Sequence, residues 1–220
     1  MGGEMPADAT EARRTMTSSP PRPGRDSRVA RLPPRERILD AAEELFLREG
    51  VRAVGVQAIA EQAKTTKMAL YRHFATKDAL IEEWLRIVAV GYATAFDQVE
   101  AEHADDGRAQ VLGVAQFIAD GLPDIARRGC PFVNSFAGLP DPGHPARRLI
   151  ENHKADQRRR LTAMCERAGA HLPDDVSAEI TFLLEGAQIS AQNGSVDRAG
   201  DRLVAAVSAV LDRGTAERED

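Results

Sequence analysis

The chain has 220 residues, 43% of them hydrophobic and 29% charged, a balance that suits a folded, water-soluble protein and excludes a fibrous or wholly disordered one. Its apolar runs fall well short of the roughly 18 residues needed to cross a bilayer, and no basic-then-apolar leader opens it, so a cytoplasmic protein with no membrane partner is expected. The net charge of −5 argues against a uniformly basic nucleic-acid binder, but the charge is unevenly spread. Three of the four Lys, set among 25 Arg, are Lys64, Lys67 and Lys77. Residues 64–77 hold four cations and no acid, a stretch suited to an anionic partner.

Residues 1–31 are rich in Pro, Gly, Ser, Thr and Arg and bury too little apolar surface to offset their ordering entropy. They read as a flexible amino-terminal arm, either without a role of its own or carrying Arg toward a phosphate or a minor groove. From Pro33 the pattern becomes helical. Pro33 and Pro34 suit a first turn, and Ile38, Leu39, Ala42, Leu45 and Phe46 recur at three- and four-residue spacing until Gly50. A short second helix is predicted over 55–63 around Val56, Ile59 and Ala60. A third starts after Thr65 or Thr66, either a competent N-cap, and carries Leu70, Tyr71 and Phe74. Thr76 caps a long fourth helix on Leu80, Trp84, Ile87, Val88, Gly91 and Ala95, to about Glu102.

Beyond Gly107, a helix over 108–122 rests on Val111, Val114, Ala115 and Ile118 and is expected to end at Gly121 and Pro123. A short helix around 132–137 follows. Pro145 opens a long one with Leu149, Ile150, His153, Gln157, Leu161, Met164, Cys165 and Ala168 on one stripe. Two more are predicted over 174–193, on Val176, Ile180, Leu183, Leu184, Ala187 and Ala191, and over 198–213, on Leu203, Ala206, Val207, Val210 and Leu211. No segment alternates with period two, so the fold class is all-α, about nine helices.

Two short helices joined by a tight turn, the second carrying Lys67, Tyr71, Arg72 and His73, meet the needs of helix-turn-helix recognition. A helix about 10–12 Å across fits the roughly 12 Å major groove, and its first turn meets the bases. Lys77, heading the long helix, adds a phosphate contact. Phe74 is expected in the three-helix core. His73 either faces DNA or closes the helix end.

The run RILDAAEELFLREGVRAVGVQAIAEQAKTTKMALYRHFATKDALIEEWL, with its central IA, its LYRHF and its KDAL, resembles the DNA-binding domain of TetR-family bacterial transcriptional regulators. The resemblance covers about 50 residues, and the helix order of the remainder is also similar to that family's. It implies a homodimer in which Gln57, Thr65, Thr66, Lys67, Ala69, Tyr71, Arg72, His73 and Lys77 face a double-stranded DNA operator. Following the arm over 1–31, it implies a helix-turn-helix DNA-binding domain over 32–78 and a helical ligand-binding and dimerisation domain over 79–220.

Three departures matter. Lys64 stands where the family usually has Gly, so a left-handed turn there costs about 1 kcal/mol and adds Lys64 to the DNA-facing cations. Val54 and Gly55 stand where a hydroxyl is common at the start of the second helix. Ala69 replaces a common Thr, and its methyl shifts the expected readout toward a thymine methyl.

The second half is acidic, which suits a part held away from the duplex. With the resemblance, Trp84, Val88, Tyr92, Phe96, Phe117, Phe132, Phe136, Met164 and Phe182 are expected to line an apolar cavity of a few hundred cubic ångströms for a small-molecule effector, each having core packing as its alternative. His153, Gln157 and Asn134 are the candidate polar contacts. Thr181, Glu185, Gln188 and Gln192 form a polar stripe expected in solvent, or alternatively an acidic wall for a cationic ligand. The resemblance places a four-helix dimer interface on Ile180, Leu184, Ala187, Ala191, Leu203, Val207 and Val210. No metal, cofactor or catalytic residue is expected: Cys130, Cys165, His144 and His153 show no ligand spacing and no nucleophile–base–orienter pattern. The expected function is a transcriptional repressor released from a palindromic operator by a small apolar or aromatic molecule, the alternative being a helical small-molecule-binding protein that no longer binds DNA.

Overall fold

The computed structural model describes residues 32–216, so the arm predicted over 1–31 lies outside the described residues. Within them the chain forms nine helices and no strand: α1 (Pro34–Glu49), α2 (Val56–Gln62), α3 (Lys67–His73), α4 (Lys77–Glu102), α5 (Gly107–Arg128), α6 (Pro131–Gly138), α7 (Pro145–Arg167), α8 (Pro173–Asn193) and α9 (Ala199–Thr215). The starts follow local chemistry. Thr66, Thr76 and Asp106 cap α3, α4 and α5 by accepting the N–H of Ala69, Ala79 and Ala109. At α7, His144 Nδ1 accepts from Ala146 N–H at 3.2 Å.

One expected end is wrong. α5 runs through Pro123 to Arg128 and stops at Gly129, whose φ of 80° breaks the helix. Pro123 forfeits one backbone hydrogen bond on an exposed face, and the helix continues for another turn past it. It brings Ile125 against the core beneath α1 and Arg128 within 3.3 Å of Glu43.

Two cores result. The first joins α1–α3, the start of α4, Cys130 and Phe132, and Ala146 and Ile150 of α7. The second joins the far end of α4 with α5, the end of α7, α8 and α9. Tyr92 of α4 packs on both. Between the ends of α4 and α7, Gln110 donates to His103 O at 2.7 Å and accepts from Arg167 Nε at 2.9 Å, closing the α4–α5 turn. α6 meets the end of α1 closely: a β-carbon on Gly138 would stand 2.7 Å from Val51 Cγ2.

Candidate nucleic-acid interface

The turn between α2 and α3 is set by two backbone bonds. Lys64 N–H donates to Glu61 O at 3.0 Å and Thr65 N–H to Ala60 O at 2.9 Å. This Schellman closure needs a left-handed residue after the cap, and Lys64 supplies it with φ 52°. Of the two threonines, Thr66 is the N-cap, its Oγ1 accepting from Ala69 N–H at 3.1 Å.

α3 buries a single side chain, Leu70, and Phe74 just beyond it closes the three-helix core. Lys67, Met68, Tyr71, Arg72 and His73 are exposed, Tyr71 by 41%. Lys67 Nζ lies 5.9 Å from the Tyr71 ring centroid. Neither Lys67 nor Arg72 meets a carboxylate among the described residues, so this face offers cations, a phenol and an imidazole without an internal counter-ion. Gln57 is exposed on α2 and donates to Glu61 Oε1 at 2.7 Å. Thr65 and Ala69 are half-buried. Lys77 is half-buried and donates to Arg52 O at 3.3 Å, and its burial lowers its pKa from the ordinary lysine value while Asp78 pulls the other way. Arg35 joins α1 to α4 through Glu83, and that hydrogen bond holds the Glu83 carboxyl below the usual carboxylate range.

The residues expected to bind an effector scatter over several places. Trp84 is 2% exposed, its ring 5.4 Å from Phe46, so it packs α4 onto α1, with Val88 beside that core. Tyr92, Phe117, Phe132 and His153 form one ring cluster, with His153 stacked on Phe132 at 4.4 Å and Tyr92 edge-on to Phe117, Phe132 and His153. Burial there lowers the His153 pKa to about 4 and leaves its Nε2 without a hydrogen-bond partner, while it pushes the Tyr92 phenol far above its ordinary value. Met164 is fully buried in the second core. Phe96 and Gln157 border a cavity of about 40 Å³ with Lys154, Thr181, Glu185 and Gln188, far smaller than the expected few hundred because the neighbouring rings fill the space between the helices.

Trp84 and Asn134 both line an open cleft of about 1190 Å³ along α1, whereas Phe136 and Phe182 face outward. Asn134 accepts from Gln192 at 3.2 Å, and Phe136 stacks under the Arg147 guanidinium at 4.2 Å. Phe182 is 75% exposed on α8. The polar stripe of α8 is also placed differently from its expected exposure: Gln188 is 4% exposed and Glu185 pairs with Lys154 at 3.2 Å, because this side of α8 turns toward α7. Gln188 Oε1 is buried with no partner.

Of the residues expected at a dimer interface, Ile180, Leu184, Leu203, Val207 and Val210 lie inside this chain's own second core, and Ala187 and Ala191 are half-buried against it. Their apolar stripes meet α5 rather than solvent, so the outward face of α8 instead shows Phe182, Gly186 and Ile189. Cys130 and Cys165 are free and buried, and burial pushes the Cys165 thiol up to about 11, away from a reactive thiolate. Among the described residues no group of three His, Cys, Asp or Glu side chains could hold a metal ion, and no helix is long and apolar enough to cross a membrane.

Sequence reasoning passed over Met68, Lys154 and the burial of Gln188. Met68 was legible in principle as an apolar residue in the first turn of a cationic helix. Lys154 sits three residues before Gln157 on the same face of α7.

A three-helix unit with a tight turn and an exposed cationic helix, set on a larger helical body, defines the helix-turn-helix class of regulatory proteins. The family model for bacterial regulatory proteins of the tetR family matches residues 38–84. The uncharacterized HTH-type transcriptional regulator YvkB of Bacillus subtilis is 33% identical over 70 residues, 32% of this chain and 37% of YvkB, so the match spans little more than a third of that relative. A TetR-family transcriptional regulator of Streptomyces coelicolor shares the fold with a TM-score of 0.77 at 28% identity, over 83% of this chain and 96% of that one. A transcriptional regulator of Saccharomonospora viridis solved in complex with choline has the same fold, with a TM-score of 0.69 at 20% identity over 84% and 98%. Residues 38–84 therefore match the tetR-family model, and the chain as a whole shares the fold of TetR-family transcriptional regulators.

Proposed function

We propose that this protein is a ligand-responsive transcriptional repressor of the cytoplasm, in which residues 32–78 read operator DNA and residues 79–220 bind an effector and a second copy of the chain. The observation that carries the reading is α3, which buries one side chain and presents Lys67, Tyr71, Arg72 and His73 outward with no carboxylate among the described residues beside Lys67 or Arg72. Gln57, Thr65, Thr66, Lys64, Ala69 and Lys77 complete the proposed reading face around it. Two copies meet through the outward face of α8, where Phe182, Gly186 and Ile189 stand clear of the core. That pairing sets two α3 helices about 34–36 Å apart, one turn of DNA.

The effector enters between α4, α5, α7 and α8, beside Phe96, Gln157 and Gln188, and spreads the ring cluster of Tyr92, Phe117, Phe132 and His153. Moving α4 displaces Lys77 and spoils the spacing. To carry the population from 1:99 to 99:1 the effector must favour the released form about 10⁴-fold.

Footprinting of the purified protein on DNA upstream of its own gene tests the reading. A palindrome protected at two half-sites is expected, and Lys67→Ala with Arg72→Ala weakens binding on every sequence while lowering the salt slope by about one per lost phosphate contact. No protected site at low salt overturns it in favour of a helical small-molecule binder without DNA affinity. Phe182→Asp is expected to give a folded monomer by sedimentation and to cut operator affinity about a hundredfold, since two linked contacts become one.

A further inference from the structure

Apolar readout of DNA is expected from the sequence at Ala69, but the structure favours its neighbour. Ala69 is half-buried, its N–H held by Thr66 Oγ1 at 3.1 Å, and its methyl is too short to reach far beyond the helix surface. Met68, the second residue of α3, is 72% exposed. It has no place in either core, and it stands between Lys67 and, one turn on, Tyr71 and Arg72. A long apolar side chain in the first turn of an exposed cationic helix occupies the position from which recognition helices touch base edges.

We propose that Met68 is a specificity-determining residue that packs its thioether and terminal methyl against the C5-methyl of a thymine in each operator half-site. The inference rests on the DNA-reading role of α3 proposed above and assigns a base to one of its side chains. The chemistry is selective. In the major groove a thymine shows a methyl group where cytosine shows only hydrogen, and that methyl is the apolar feature there. Met is unbranched and polarizable, so it follows a methyl group through small changes in docking geometry. Lys67 and Arg72 on either side supply phosphate attraction that carries no sequence information, which leaves base choice to Met68 and Tyr71.

The test separates the methyl from every other property of the base. The full chain selects a duplex from a random pool, and each thymine of that duplex is then replaced in turn by deoxyuridine, which lacks only the methyl. One thymine per half-site is expected to lose about fourfold in affinity on replacement, the effect of one methyl-sized apolar contact. Met68→Ala is expected to bind the thymine and uracil duplexes equally at that position, and Met68→Leu to restore the difference. Met68 lies outside both cores, so an unchanged melting temperature certifies that the variants fold. If no thymine is sensitive, or if Met68→Ala keeps the same sensitive position, the assignment to Met68 falls while DNA binding stands. If no duplex is selected at all, the proposed function falls and this inference with it.

Discussion

After α7, Gly169 N–H donates to Glu166 O and Ala170 N–H to Cys165 O, both at 3.0 Å, with Gly169 at φ 82°. After α2, Lys64 and Thr65 make the same two bonds to Glu61 and Ala60, with Lys64 at φ 52°. One backbone device is thus built twice, in the larger helical body with the residue that adopts a left-handed conformation freely and in the small amino-terminal unit with one that does not. Space does not explain the choice, because a β-carbon on Gly169 would meet nothing within 4 Å. The larger body uses the turn only to reverse direction. The amino-terminal unit accepts about 1 kcal/mol of strain and gains an exposed lysine in the turn that leads into α3.

Exchanging the two residues breaks the comparison most sharply. Gly169→Lys is expected to cost about 1–2 kcal/mol and to lower the melting temperature by about 2–8 °C, with DNA binding unaltered apart from that loss. A variant as stable as the parent by thermal melting would mean that the backbone at Gly169 tolerates a side chain at no cost. Lys64→Gly runs the other way. It relieves up to about 1 kcal/mol, partly offset by the greater freedom of glycine in the unfolded chain, and it weakens operator binding several-fold as one phosphate contact is lost. Unchanged affinity in a mobility-shift titration would remove the reason offered for the strain. The smallest effect belongs to Lys64→Asn. Asn visits the left-handed region more easily than Lys, so stability rises by only a few tenths of a kcal/mol while the affinity loss matches that of Lys64→Gly.

The amino-terminal unit was far more legible in the sequence than the rest. Its helices are short and their signals local: Pro34, Thr66, Thr76 and Gly50 mark ends that the structure keeps. The strain at Lys64 follows from residue type and turn geometry alone. Pro123 misled because a proline reports a lost bond locally, while the gain from Ile125 and Arg128 comes from α1, some 80 residues away. Helical periodicity also told which positions of α8 and α9 were apolar without telling which way they faced. Ile180, Leu184, Leu203, Val207 and Val210 fit an interface between copies or an interior equally well, and only the position of α5 decides between them. Gln188 shows the reverse ambiguity, a polar residue drawn into the packing because its helix turns that side toward α7. The aromatic residues gave the least information. A ring at helical spacing packs α4 on α1 as readily as it borders a cavity: Trp84 does both, and Phe96 borders the smaller cavity.

The seam at Gly138 has a mechanical meaning. With Val51 standing where even a β-carbon would clash, α6 and the tail of α1 touch like two gears cut without backlash. Any side chain added at Gly138 would have to displace Val51 in the turn that follows α1, so the two segments fix each other's position. Enlarging Gly138 would jam that linkage, and trimming Val51 would let it rattle.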